Sequence, residues 1–417
     1  MSVRCDGHVD SVGVVLFQLG GPDSLESVEP FLENLFSDPD IIDFPFARLA
    51  RPALARLIAS RRAKHARRHY ASIGGRSPLR ELTELQARAL ETELRKKSVN
   101  ARVFVAMRYW HPSTEEAVRE IHAQSLRSLV LLPLYPQYSK TTTGSSLNEW
   151  NRRYQPQGAH VSPVRVVRQF YDRPAYLDAV VEKINQGLAR FGGAGAVLGQ
   201  RRGADSGSPG EGRAVLLRRT FPVPGVPDGL THYAQGAVGP DCPESQPKPQ
   251  VATAASATSS PYLQWSPEIR VAPNIHSASA IHLVFSAHGV PQSVIEAGDP
   301  YQEQVEATVR LVMGRGGWRN PYALCYQSRV GPGRWLEPSL RQTLVRLARE
   351  GAENVLVIPI AFVSDHVETL SEIGIEAREL AYRLGIRQFE VMPALNDSPK
   401  FIQALADLVL GTLHHSM

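Results

Sequence analysis

The chain has 417 residues, 43% of them hydrophobic, and carries a formal net charge of +5. That is room for two domains or one large α/β unit with an ordinary soluble core. The mild basic excess suits an anionic ligand or surface, and it does not argue for nucleic acid because much of it sits in one run. The three cysteines, Cys5, Cys242 and Cys325, lie far apart without a CxxC pair. This argues against a disulfide framework, a structural zinc site or a cluster held by cysteines alone, and it fits a reducing cytoplasm.

The first predicted element is the apolar run VGVVLFQLG from Val12 to Gly20. It is too short to span a bilayer and ends in glycines, so any membrane association is expected to be peripheral. A helical pattern, PDSLESVEPFLENLF, follows it, and then the run Arg48 to Tyr70, which mixes Leu49, Leu54, Leu57 and Ile58 with arginines. A basic amphipathic segment of that kind suits the surface of an anionic membrane or a solvated helix packed on its own domain.

Farther on, ARVFVAMRYW precedes the helical PSTEEAVREIHAQ, and SLVLLPLYP precedes a polar Ser/Thr loop. The second half repeats the alternation: IHLVFSAHG before YQEQVEATVRLVM, and NVLVIPIAF before HVETLSEIGIEARELAYRL. Continuous apolar strands alternating with amphipathic helices predict parallel sheets covered on both faces. The expected fold class is therefore α/β, with two doubly wound Rossmann-like lobes, residues 10–175 and 176–410. Residues 192–280 turn Gly/Pro/Ser/Ala-rich without sustained periodicity and read as a disordered insert in the second lobe. No internal sequence repeat is visible.

Two residues carry the chemistry. His288, in FSAHGVP, directly follows an apolar strand, at the end where parallel α/β folds bind ligands; the alternative is a histidine that merely bonds loop backbone. Glu368, in SDHVETLSEIGIE, opens a helix on which Glu368, Glu372 and Glu376 are spaced by four and share a face. Asp365-x-x-Glu368 also reads as a capping box, since acidic residues favour a first helical turn. Three aligned carboxylates repel one another, however, and such a file suits relaying protons or guiding a cation. The segments Tyr135 to Trp150 and Tyr326 to Ser339 each place aromatic and polar groups at a strand end.

Together, QLGGPDSLESVEPFLENLFSDPDII, YPQYSKTTTGSS, FSAHGVP, GDPYQEQVEATV, YQSRVGPGRWLEPS and PIAFVSDHVETLSEI resemble the ferrochelatase family over nearly the whole chain, in order, apart from the insert. The chain is more similar to the bacterial protoporphyrin-using branch than to the coproporphyrin-using one, whose members carry a Tyr where this chain has Leu19. The resemblance implies insertion of Fe(2+) into a porphyrin, with His288 and Glu368 flanking the ring centre as the groups that handle metal and pyrrole protons. It makes His366, Glu372 and Glu376 the polar path behind Glu368. Arg108, Tyr109, Tyr138, Ser139, Tyr326 and Trp335 become pocket residues with Leu19, Tyr326 standing where some members have Trp. Residues 48–70 match an apolar lip that could meet a membrane peripherally. No iron-sulfur cluster is expected: the C-terminus lacks the family's cysteine extension, and Lys140 stands where its remaining cluster Cys would lie. The rival readings are a cobalt or nickel chelatase with the same ligands, a tetrapyrrole carrier, and a nucleotide-binding protein, the last without a GxGxxG or P-loop lysine.

Overall fold

The computed structural model describes residues 11–41, 47–155, 163–192, 280–329 and 333–414. The anticipated insert lies outside the described residues apart from its two ends. The described strands form two four-stranded parallel sheets. The first holds β1 (Ser11–Gln18), β2 (Ala101–Met107), β3 (Leu126–Pro133) and β4 (Val164–Val166) in the order β2-β1-β3-β4. The second holds β5 (Ile281–His288), β6 (Tyr322–Gln327), β7 (Asn354–Pro359) and β8 (Gln388–Val391) in the order β6-β5-β7-β8. Both sheets follow one plan, in which the chain steps outward from its first strand and then crosses back over it. That reversal opens a crevice at the carboxyl ends of β1 and β3, and another at those of β5 and β7.

The central strands read as unbroken apolar runs because helices cover both faces. Val12, Val14, Val15 and Leu16 of β1, Leu283, Val284 and Phe285 of β5, and Val355 to Ile358 of β7 are all fully buried. One core joins the sheets: Leu16 and Val130 of the first lie in the same cluster as Phe285 and Leu356 of the second. The helix Pro174–Leu188 bridges them through Tyr176, Val180 and Ile184. Gly187 lets it sit close, since a Cβ there would stand 2.9 Å from Leu356 Cδ1 of β7.

The basic run forms the long helix Ala47–Ser72. Ala55, Ala59 and Ala63 recur every four residues on its buried face, packed with Val28, Phe31, Leu32 and Phe36 of the helix Val28–Phe36. Arg56, Leu57, Arg61, Lys64, His65 and Arg68 face solvent. Leu54 and Ile58 are half-buried. Among the described residues no helix is long and apolar enough to cross a membrane.

Candidate active site

His288 is the last residue of β5, and Glu368 opens a helix reached from the end of β7. Because β5 and β7 pair directly, up to Ser286 opposite Pro359, the two side chains meet at the crevice. His288 Nε2 lies 3.4 Å from Glu368 Oε1. Nδ1 donates to the Gly289 carbonyl at 2.6 Å, which turns Nε2 toward the carboxylate. Burial alone would lower the imidazole pKa, but the Glu368 charge and hydrogen bond outweigh it and raise His288 to about 9. Burial likewise opposes the charged form of Glu368, yet His288, with a smaller contribution from His366, holds it well below the usual carboxylate range. At neutral pH the free site is an imidazolium–carboxylate pair.

The supports are local. The Gly289 N–H donates to the Gln327 carbonyl at 2.7 Å, and a Cβ on Gly289 would stand 2.8 Å from that same oxygen, so glycine is needed for the approach. The Tyr301 hydroxyl donates to the His288 carbonyl at 3.1 Å. Gln327 takes the Ser286 hydroxyl at 2.7 Å and turns its amide toward Glu368 Oε2 at 3.4 Å.

Behind the pair runs the file of carboxylates. The helix Glu368–Ala377 is a π-helix rather than the ordinary α-helix the four-residue spacing suggests, a rare form that favours functional sites. Glu368 is not the partner of an Asp365 capping box: Asp365 accepts from the Thr369 hydroxyl at 3.2 Å and from Asn396 at 3.0 Å, and the helix has no side-chain cap. His366 Nε2 stands 3.8 Å from Glu368 Oε2. Glu372 accepts from the Ser328 hydroxyl at 2.5 Å, Ser328 itself being held in the left-handed region at φ 59°. Burial, and then the neighbouring Glu368 charge, push the Glu372 pKa up to about 7. Glu376 reaches the surface, with its side chain 57% exposed and 3.3 Å from His69 Nδ1. The file thus runs from the crevice outward. Tyr70, buried beside it, is pushed above its ordinary value by burial and by Glu368 and Glu372. Among the described residues no group of three or more His, Cys, Asp or Glu side chains is set to enclose a metal ion.

The remaining sequence-predicted residues fall into two groups. Tyr326 and Trp335 flank the His288 turn: Tyr326 pairs with Ala287 across β5 and β6, and Trp335 Cε3 would be 3.5 Å from a Cβ on Gly289. The Tyr326 hydroxyl and the Trp335 indole N–H are both buried without a hydrogen-bond partner among the described residues. The others follow the first sheet. The backbones of Arg108 and Tyr109 bond to Gln18 and Leu19 at 2.8 and 3.0 Å, tying the ends of β1 and β2 together. The side chains of both converge on Asp38, which sequence reading missed: Arg108 Nη2 at 2.9 Å and the Tyr109 hydroxyl at 2.7 Å, with Ser145 at 2.5 Å. Leu19 packs in the same cluster as Tyr109, Tyr70 and Val367. Tyr138 and Ser139 follow β3 and tie to the second half, through Gln304 to the Tyr138 N–H at 2.8 Å and Asp299 to the Ser139 hydroxyl at 3.0 Å.

A histidine–carboxylate pair at the switch point of a parallel sheet, with carboxylates leading outward, is equipment for moving protons or a cation, and it places the chain among α/β enzymes. A family profile described as Ferrochelatase matches residues 11–200 and 252–413. A relative named ferrochelatase from Synechocystis sp. is 40% identical over 410 residues, covering 97% of this chain and 83% of the relative. Another, from Rippkaea orientalis, is 40% identical with the same coverage. A third, from Geotalea daltonii, is 39% identical over 400 residues, covering 96% of this chain and 97% of the relative. The chain belongs to the ferrochelatase family, enzymes that insert a metal into a porphyrin.

Proposed function

We propose that the chain inserts Fe(2+) into protoporphyrin IX, releasing two protons, as a step of haem biosynthesis. The observation that carries the reading is the His288–Glu368 pair, 3.4 Å apart where β5 ends and the helix after β7 begins. A free-base porphyrin must lose two N–H protons as the metal enters, and its flat ring hides the nitrogen lone pairs. A rigid cleft that bends the ring exposes one of them. Once the proton that Glu368 keeps on His288 has left outward along the carboxylates, the neutral imidazole can accept a pyrrole proton as the metal enters the ring. Glu372, whose pKa near 7 lets it both take and give a proton, supports the outward relay toward Glu376. Leu19, Arg108, Tyr109, Tyr138, Ser139, Tyr326 and Trp335 are assigned to the walls of the porphyrin pocket. Coproporphyrin is the second substrate to test, and the Leu19 side chain favours protoporphyrin. The lobes are taken to divide near residue 175, with 192–280 inserted in the second. The enzyme is assigned to the cytoplasm, touching the inner face of the membrane weakly through residues 48–70, where exposed Leu57 lies among exposed cations.

The test is anaerobic Fe(2+) insertion into protoporphyrin and into coproporphyrin, followed by absorbance. The wild type should form protohaem faster than coprohaem, and His288→Ala and Glu368→Ala should each cut kcat by about 10²- to 10⁴-fold. Tight porphyrin binding with no insertion into either ring would overturn the enzymatic reading and bring forward a carrier.

A further inference from the structure

On the long helix, His65 and His69 are four residues apart and so share a face. Their Nε2 atoms are 2.9 Å apart. Such a contact holds either one proton or a shared cation. Two ligands ~2.1 Å from a metal at a right angle stand ~3.0 Å apart, so the spacing suits adjacent positions on one ion.

The rest of the environment settles which nitrogen is available. His69 Nδ1 lies 3.3 Å from Glu376 Oε1 and 3.0 Å from Ser371 Oγ. A carboxylate there keeps the proton on Nδ1 and leaves the Nε2 lone pair aimed at His65, the arrangement by which proteins orient a metal-binding imidazole. His69 is largely covered, its side chain 12% exposed, whereas His65 is open to solvent. The exposed cations of the helix oppose a dication. They project into water, where charge is screened over ~8 Å, while the Glu376 carboxylate sits against the site itself.

We propose that His65 and His69 form an open, two-histidine docking site for a divalent transition metal at the outer end of the Glu376–Glu372–Glu368 file, from which the ion is handed inward. This rests on the iron-insertion reading above. Two protein ligands completed by water bind loosely, as suits an ion that must be passed on. Glu376 has two roles: it orients His69 from one side and begins the carboxylate path on the other.

The test uses the full-length chain without porphyrin, titrated anaerobically with Co(2+) and followed by its visible absorption. His65→Ala is the informative variant, because an exposed side chain can be removed without unfolding the protein. The expected result is that His65→Ala binds one cobalt equivalent fewer than wild type, whereas His288→Ala keeps the equivalent that depends on His65. In iron insertion, His65→Ala should raise the KM for Fe(2+) roughly tenfold or more, with a much smaller fall in kcat. An unchanged cobalt stoichiometry in His65→Ala would overturn the site, and an unchanged KM for Fe(2+) would overturn its role in delivery. Loss of the cobalt equivalent in a chain that inserts no iron would uphold the metal site and sink the insertion reading instead.

Discussion

At the scale of single residues, the His288–Glu368 pair sets how the site responds to pH. His288 is raised from 6.5 to about 9, so the stability it contributes is complete below about pH 6.5 and is lost as pH rises through about 9. Glu368 is depressed, so its contribution is lost only as pH falls through a value well under 4.5. The His288 ring protons, followed by NMR, should therefore titrate near pH 9. In Glu368→Gln the carboxylate charge is gone and burial is opposed only by the Gly289 carbonyl and Glu372, so the midpoint should fall; a midpoint still near 9 would show that another group holds the proton. Half of this was legible beforehand. A polar histidine ending a fully apolar strand marks a crevice from sequence alone. That Glu368 stands opposite it depends on β7 crossing back beside β5, which no local pattern encodes. Asp38, the centre of the Arg108–Tyr109–Ser145 cluster, carries no local signal in SDPD, because its partners lie 70 to 107 positions away.

At the scale of elements, the two devices that shape the site are the glycine after β5 and the π-helix after β7. Gly289→Ala would drive a Cβ against the Gln327 carbonyl, backbone against backbone, where no side chain can yield. We expect it to destabilise the protein by about 1–3 kcal/mol. It should also slow insertion more than an exposed-loop change of equal stability cost, since it pushes His288 away from Glu368. Chemical denaturation run beside the insertion assay separates the two effects. The π-helix was not legible, because carboxylates spaced by four read the same on an α-helix, and nothing in ETLSEIGIEA announces a wider turn. Its alternative, the capping box, failed for a reason visible only in space: Asn396 and Thr369 take up Asp365, which frees Glu368 to face the histidine.

At the scale of the molecule, the alternation of strands and helices made the two parallel sheets legible. Their identical strand order was not, since it repeats in topology with no trace of repetition in the sequence. Nor did periodicity reveal that the sheets share a core. Phe285 of β5 lies in the same buried cluster as Leu16 of β1, with Tyr176 and Ile184 of the bridging helix between the sheets. The halves should accordingly unfold together. Phe285→Ala, which removes a fully buried ring, should cost about 3–5 kcal/mol and lower one transition seen alike by tryptophan fluorescence and circular dichroism. Two separate transitions, only one of them shifted, would mean that the sheets are energetically independent.

The resting ion pair at the crevice has a further consequence. The place a metal would take beside Glu368 is already filled by a positive charge, the protonated ring of His288. A dication must evict that proton, so occupancy is an exchange of one cation for another and not the filling of a vacancy. Affinity for the incoming ion should then climb about tenfold per pH unit and level off near pH 9. In weakly buffered solution at pH 7, a dye indicator should register close to one His288-dependent proton released per Co(2+) bound in the crevice, before any porphyrin is added. His288→Ala should abolish that release.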